Sequence, residues 1–184
     1  MKTSLYCVLC SIVILASTIG AVPAHNSSVL YKDNISFVQA INPPSDKNTA
    51  PVFTWFDAKG KTVSLSDLKG KIVFINFWGT WCPPCCREMP DIVNLSKEYK
   101  GKVHFIGIAL ERQKEDVLEK LYNFAKSNGM KYEILVGSDE LANAYGGISG
   151  IPTTFIIDRN GKIVSSAVGE QSREAFEKMI KDVL

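Results

Sequence analysis

Apolar residues gather along this chain in short dense blocks, and the spacing within the blocks changes with position. Val52, Phe53, Trp55 and Phe56 precede Asp57-Ala58-Lys59-Gly60, and Thr62-Val63-Ser64-Leu65 follows. Two such runs around a turn in which Gly60 supplies positive φ predict a β-hairpin. Residues 71–77 and 103–109 are dense in Ile, Val and Phe and predict two buried strands. Residues 132–136 predict a third. Residues 153–158 and 162–167 predict a hairpin across Arg159-Asn160-Gly161.

Between the strands the apolar period lengthens to that of a helix. Met89, Ile92, Leu95 and Tyr99 stripe a helix running from Pro83 to about Lys100. Pro90 sits inside it, removes one backbone donor and predicts a kink. Val117, Leu118, Leu121, Phe124 and Ala125 stripe a second helix over 114–128, stopped by Gly129. Residues 139–145 predict a short helix, and Ser172 caps a last one whose apolar face is Phe176, Met179, Ile180 and Val183. Residues 66–70 predict a single helical turn. Strands alternating with helices imply parallel crossovers, and hairpins imply antiparallel edges. The fold class is α/β, with a mixed central sheet flanked by helices on both faces.

The ends of the pattern set the organisation. Residues 1–24 carry one charge, Lys2, then an apolar stretch, then Val22-Pro23-Ala24. That is the outline of a secretory signal peptide cleaved after Ala24. The competing reading is an uncleaved anchor, since residues 5–22 are just long enough to span a bilayer. Residues 25–50 are mixed and polar and read as an extension or linker, with an edge strand around Ile35-Ser36-Phe37-Val38 as the alternative. Residues 51–184 form the folded domain.

Composition narrows the class. A chain of 184 residues with 46% apolar and 22% charged residues is ordinary material for one domain. The net charge of +2 is dispersed, and no Lys/Arg cluster resembles a nucleic-acid footprint.

The candidate chemistry lies in the cysteines. Removing the leader leaves Cys82, Cys85 and Cys86, a clustered odd set that makes no structural disulfide framework. Cys82 and Cys85 sit where a buried strand hands over to a helix. A helix N-terminus offers partial positive charge and unpaired N–H groups, which favour the thiolate, the form that attacks disulfides. The i, i+3 spacing brings the second sulfur close enough to resolve a mixed disulfide. Export implies an oxidising compartment, where a lone thiol pair is better explained as a working redox centre. A structural zinc site needs a second ligand pair, and the only histidines are His25 and His104.

Asn76-Phe77-Trp78-Gly79-Thr80-Trp81-Cys82-Pro83-Pro84-Cys85, Cys85-Cys86-Arg87-Glu88-Met89-Pro90 and Gly150-Ile151-Pro152-Thr153-Thr154 together resemble the thioredoxin superfamily, most closely its exported TlpA/ResA branch of thiol–disulfide oxidoreductases. The resemblance covers roughly residues 50–184. It implies a thioredoxin-like fold with an N-terminal β-hairpin and a central βα insertion. It implies that Cys82 is the exposed attacking thiol and Cys85 the resolving one. Pro152 would follow a cis peptide bond facing the cysteines, and Ile151 would pair its backbone with the substrate chain as an added strand. Thioredoxin itself has a buried aspartate where this chain has Asn76, which cannot accept a proton. Glu88 matches the branch's Cys-x-x-Glu-x-Pro and takes the proton-handling role at the buried thiol. The competing reading of Glu88 is a surface glutamate in a weak ion pair. Trp81 reads as a surface residue beside Cys82 that offers substrate a platform, and Trp78 as core. Cys86 departs from the family; it reads as a partly buried small side chain, with pairing to Cys82 as the alternative.

The resemblance implies no organic cofactor and no metal. It implies protein thiol and disulfide substrates outside the cytoplasm, at the periplasm or the outer face of the membrane, and a membrane protein as electron donor. Reduction of client disulfides is the expected direction, with apocytochrome c one client. Two rivals remain. A thiol peroxidase motif needs Thr or Ser where Gly79 stands and Pro where Ile75 stands. A copper-binding assembly factor would use Cys82 and Cys86 as CxxxC, but it also needs a downstream His, and none lies beyond His104.

Overall fold

The computed structural model describes residues 31–184 apart from Ser45 and Lys114. The leader over residues 1–24 lies outside the described residues. In chain order the strands and helices are β1 (Tyr31–Lys32), β2 (Ile35–Phe37), β3 (Ala40–Asn42), β4 (Val52–Phe56), β5 (Thr62–Ser64), β6 (Ile72–Trp78), α1 (Pro83–Glu98), β7 (Val103–Ala109), α2 (Val117–Asn128), β8 (Glu133–Val136), α3 (Asp139–Ala144), β9 (Thr153–Ile157), β10 (Ile163–Val168) and α4 (Arg173–Lys181). A 3-10 turn, Leu65–Leu68, joins β5 to β6.

A seven-stranded sheet has the order β1-β2-β8-β7-β6-β9-β10. β6, β7 and β8 are mutually parallel, while β9 runs antiparallel to β6 and β10 to β9. This is the expected mixed sheet with helices on both sides. β6 is buried at every position, as befits a strand covered on both faces. Its alternation sorts the core. Ile72 and Phe74 face α1 and α4, with Ile92, Leu95, Phe176 and Ile180. Trp78 continues that face toward Cys85, Met89 and Leu121. Val73, Ile75 and Phe77 face the other way, onto Phe53, Trp55, Leu141 and Tyr145. Asn76 shares the parity of Phe74 and Trp78, so its amide points at α1.

The hairpin β4–β5 forms as the pattern predicts, joined by β3 in a separate three-stranded sheet. The described residues between 31 and 50 do more than link. Ile35–Phe37 pairs parallel with Ile134–Val136, and Ile35 is completely buried against the α2 side of the core. The strand expected around Ile35 therefore forms, but it lies one in from the edge, between β8 and the outermost β1, and the sheet draws on residues upstream of position 51. The helix predicted over 114–128 starts at Val117, after Asp116 in a left-handed conformation. Among the described residues no helix is long and apolar enough to cross a membrane.

Candidate active site

The C-terminal end of β6 delivers the cysteines to the N-terminus of α1. Cys82 is the N-cap of that helix. Pro83 and Pro84 follow and have no N–H to give. The first helical N–H groups are those of Cys85, which donates to Cys82 Sγ at 3.3 Å, and Cys86, which donates to the Cys82 carbonyl at 3.1 Å. One N–H of the first turn is thus aimed at the sulfur. It supplies the local positive potential that a Cys82 thiolate needs. Cys82 and Cys85 are joined by a disulfide, S–S 2.10 Å, with Cα atoms 5.3 Å apart.

In this oxidised state both sulfurs are sheltered: Cys82 is 3% exposed and Cys85 0%. The expectation of an exposed Cys82 is corrected to a thin margin of access. The reason is the opposing wall. Ile151, half-buried, packs against both core layers beside Cys82, and its carbonyl oxygen lies 3.6 Å from Cys82 Sγ. The Ile151–Pro152 peptide bond is cis. That brings four of the residues read from sequence, Cys82, Cys85, Ile151 and Pro152, to one place.

Beneath them is a buried polar group. Asn76 Nδ2 donates to Glu88 Oε1 at 2.9 Å and to Thr154 Oγ1 at 3.0 Å. Thr154 is opposite Asn76 in the β6–β9 ladder. The other Glu88 oxygen accepts the N–H of Gln171 at 3.1 Å. Asn76 and Glu88 are 3% and 2% exposed, so Glu88 is no surface ion pair. Burial pushes its carboxyl up to about 7, against the pull of the Gln171 and Asn76 donors, with nearby Glu170 adding to the rise. A carboxyl that titrates near neutrality is suited to proton transfer. Tyr132, half-buried, has its phenol pushed far up by desolvation first and by the Glu88 carboxylate second. Arg87 holds both oxygens of Glu170, Nε to Oε1 at 3.1 Å and Nη2 to Oε2 at 2.5 Å.

Trp78 is fully buried and Trp81 is 38% exposed, as their positions predict. Trp81 is not free, however. Its Nε1 donates to the Leu110 carbonyl at 2.9 Å, and the Arg112 guanidinium lies 3.7 Å from the ring centroid. Thr80 is bound by Glu111 through its N–H at 2.7 Å and its hydroxyl at 3.0 Å. Cys86 is a free, partly buried thiol whose Sγ lies 3.7 Å from the Thr80 carbonyl. His104 is engaged with Glu133, Nε2 to Oε2 at 2.6 Å. Among the described residues no three His, Cys, Asp or Glu side chains converge as a metal site would require.

Sequence reasoning missed Glu111, Arg112 and Gln171. They reach the site from loops distant in the chain, with no motif of their own. Thr154 lay within the Ile-Pro-Thr-Thr string but had no assigned role.

Comparison with known proteins places this geometry among relatives. The family model described as Redoxin matches residues 45–184. The thiol-disulfide oxidoreductase ResA of Bacillus anthracis is 41% identical over 134 residues, covering 73% of this chain and 76% of that protein. ResA of Bacillus subtilis (strain 168) is 39% identical over 142 residues, covering 76% and 74%. Among solved structures, a thiol:disulfide interchange protein of the thioredoxin family from Chlorobium tepidum TLS superposes with a TM-score of 0.65 at 36% identity, covering 76% of this chain and 98% of that one.

Proposed function

The chain belongs to the Redoxin family of the thioredoxin superfamily as a ResA-like thiol–disulfide oxidoreductase, and from that premise we propose that it reduces disulfides of extracytoplasmic proteins through Cys82 and Cys85. The observation that carries the reading is Cys82 Sγ at the N-terminus of α1, accepting the Cys85 N–H at 3.3 Å, with the Ile151 carbonyl 3.6 Å away. In the reduced protein the Cys82 thiolate attacks a client disulfide. A mixed disulfide forms, and the client's other sulfur leaves as a thiolate and takes a proton. Cys85, deprotonated, then attacks Cys82 Sγ, which closes the Cys82–Cys85 disulfide and releases the second client thiolate. Two electrons pass to the client, and a membrane-bound donor returns them.

Glu88 is the group that receives the Cys85 proton. Its burial, its two hydrogen-bond donors and its raised carboxyl support that role over a structural one. Ile151 offers its backbone to an extended client segment, and the Trp81 ring, with one face under Arg112, offers the other. Residues 1–24 export the chain, leaving it in the periplasm or at the outer face of the membrane. Apocytochrome c thiols are a client class that fits this place.

Trapping tests the assignment. Cys85→Ser should hold a client or 5-thio-2-nitrobenzoate as a stable mixed disulfide on Cys82, and Cys82→Ser should form none. Equal trapping by both variants overturns the order of attack. A couple near about −270 mV or below supports a reductase, and one near about −120 mV makes the protein an oxidant instead.

A further inference from the structure

The three residues that leave β7 hold the loop before Cys82 one by one. Leu110 N–H donates to the Trp78 carbonyl at 2.7 Å, and the Leu110 carbonyl accepts Trp81 Nε1 at 2.9 Å. Arg112 covers the Trp81 ring at 3.7 Å. Between them Glu111 takes both donors of Thr80, the N–H on Oε1 at 2.7 Å and the hydroxyl on Oε2 at 3.0 Å. Its side chain is only 1% exposed, and Lys120 Nζ of α2 lies 2.6 Å from Oε2. A buried carboxylate with three donors is a stiff joint. Charge-assisted bonds of this kind are short and strong, and the ammonium offsets the cost of burying the charge.

Thr80 stands two residues before Cys82, so a clamp on Thr80 fixes the path of the chain into the N-cap. Attack on a disulfide needs the sulfur near the line of the bond that breaks, and a displacement of about 1 Å can cost on the order of 100-fold in rate. We propose that Glu111 is a positioning residue for thiol–disulfide exchange: by clamping Thr80 it sets the place of the Cys82 sulfur and of the Trp81 ring, with Lys120 orienting its carboxylate. The inference rests on Cys82 being the attacking thiol. It adds a group outside the Cys-Pro-Pro-Cys helix to the machinery of that attack, reached through backbone rather than through sulfur.

The test uses reduced full-length protein, insulin as the disulfide substrate with dithiothreitol as terminal reductant, and the pH profile of Cys82 alkylation by iodoacetamide. Glu111→Ala should lower kcat/KM at least about tenfold and displace the alkylation profile. Glu111→Gln keeps an oxygen for the Thr80 N–H and should recover most of the rate. Thr80→Val removes the hydroxyl arm alone; it should lower kcat/KM by a smaller factor, and it carries the test if Glu111→Ala does not fold. Wild-type kcat/KM and an unmoved alkylation profile in a folded variant, even one with a lower melting temperature, overturn the proposal. A wild-type protein inert toward insulin overturns the exchange reading instead, and alkylation still decides the role of Glu111.

Discussion

Asn76 donates its side-chain N–H to the Glu88 carboxylate across 2.9 Å of nearly dry core, one residue at 3% exposure and the other at 2%. The pair explains how a charged residue is kept on the buried stripe of α1. Glu88 needs donors in place of water, and Asn76 and the Gln171 N–H provide them.

That burial makes stability depend on pH. The Glu88 carboxyl sits at about 7 in the folded protein against an ordinary value of 4.5. The folded state therefore binds more protons than the unfolded one between those values. Its stabilisation is complete below the unfolded value and is lost as pH rises through the folded one. From this group alone, the unfolding free energy of the oxidised protein should fall on the order of 3 kcal/mol from pH 4.5 to 8. Glu88→Gln should flatten that decline. Denaturant titrations across the range check it, and parallel curves for the two proteins refute it.

Asn76→Asp puts the thioredoxin residue at this position. It removes the donor to Glu88 and Thr154 and sets two carboxylates about 3 Å apart, where both cannot ionise cheaply. The variant should lose about 2–4 kcal/mol at pH 8 and distinctly less at pH 5. Equal losses at both pH values would mean that packing, not charge, decides the site. The same physics accounts for the pairing of Asn76 with Glu88 in one chain: each supplies what the other lacks, and an acid at both positions would conflict.

The parts of this protein legible in its sequence are those with a local signature. The apolar run of β6, broken only by Asn76, announced a buried strand, and the Cys-Pro-Pro-Cys spacing announced the chemistry. Ile35–Phe37 was ambiguous because three residues carry too little period to separate strand from linker; only its pairing with Ile134–Val136 decides. The burial of Glu88 was equally hidden, since position on the α1 stripe depends on where Asn76 points from the neighbouring strand. Glu111 was invisible: its partner Thr80 is far away in sequence, and the contact exists because β6 and β7 are parallel neighbours that end together.

Helix α4 is anchored through Phe176 and Ile180, both fully buried, and Phe176 meets Phe74 edge-on with ring centroids 5.3 Å apart. Phe176→Ala should cost about 3–5 kcal/mol. Because the Gln171 N–H that reaches Glu88 lies just before α4 and holds that carboxyl down, loosening α4 should also raise the Glu88 titration point, a shift open to NMR of the Glu88 carboxyl carbon. A loss under 1 kcal/mol would show that α4 is held elsewhere.

Gly79 is required by contact and not by an unusual φ. A Cβ built there would meet Trp81 Nε1 at 2.8 Å and the Leu110 carbonyl oxygen at 3.2 Å, the two ends of one hydrogen bond. The backbone oxygen is fixed by β7, so the indole must yield and its bond to Leu110 must break. Gly79→Ala should cost about 1–3 kcal/mol and release Trp81 from under Arg112. Trp55 and Trp78 are completely buried, so acrylamide quenching of tryptophan fluorescence reports Trp81 almost alone. Quenching should rise in the variant while the Cys82–Cys85 disulfide still forms. Unchanged quenching with unchanged stability would mean that the loop before Cys82 has slack the structure does not reveal, and that its hold on the nucleophile is looser than the Leu110–Arg112 contacts imply.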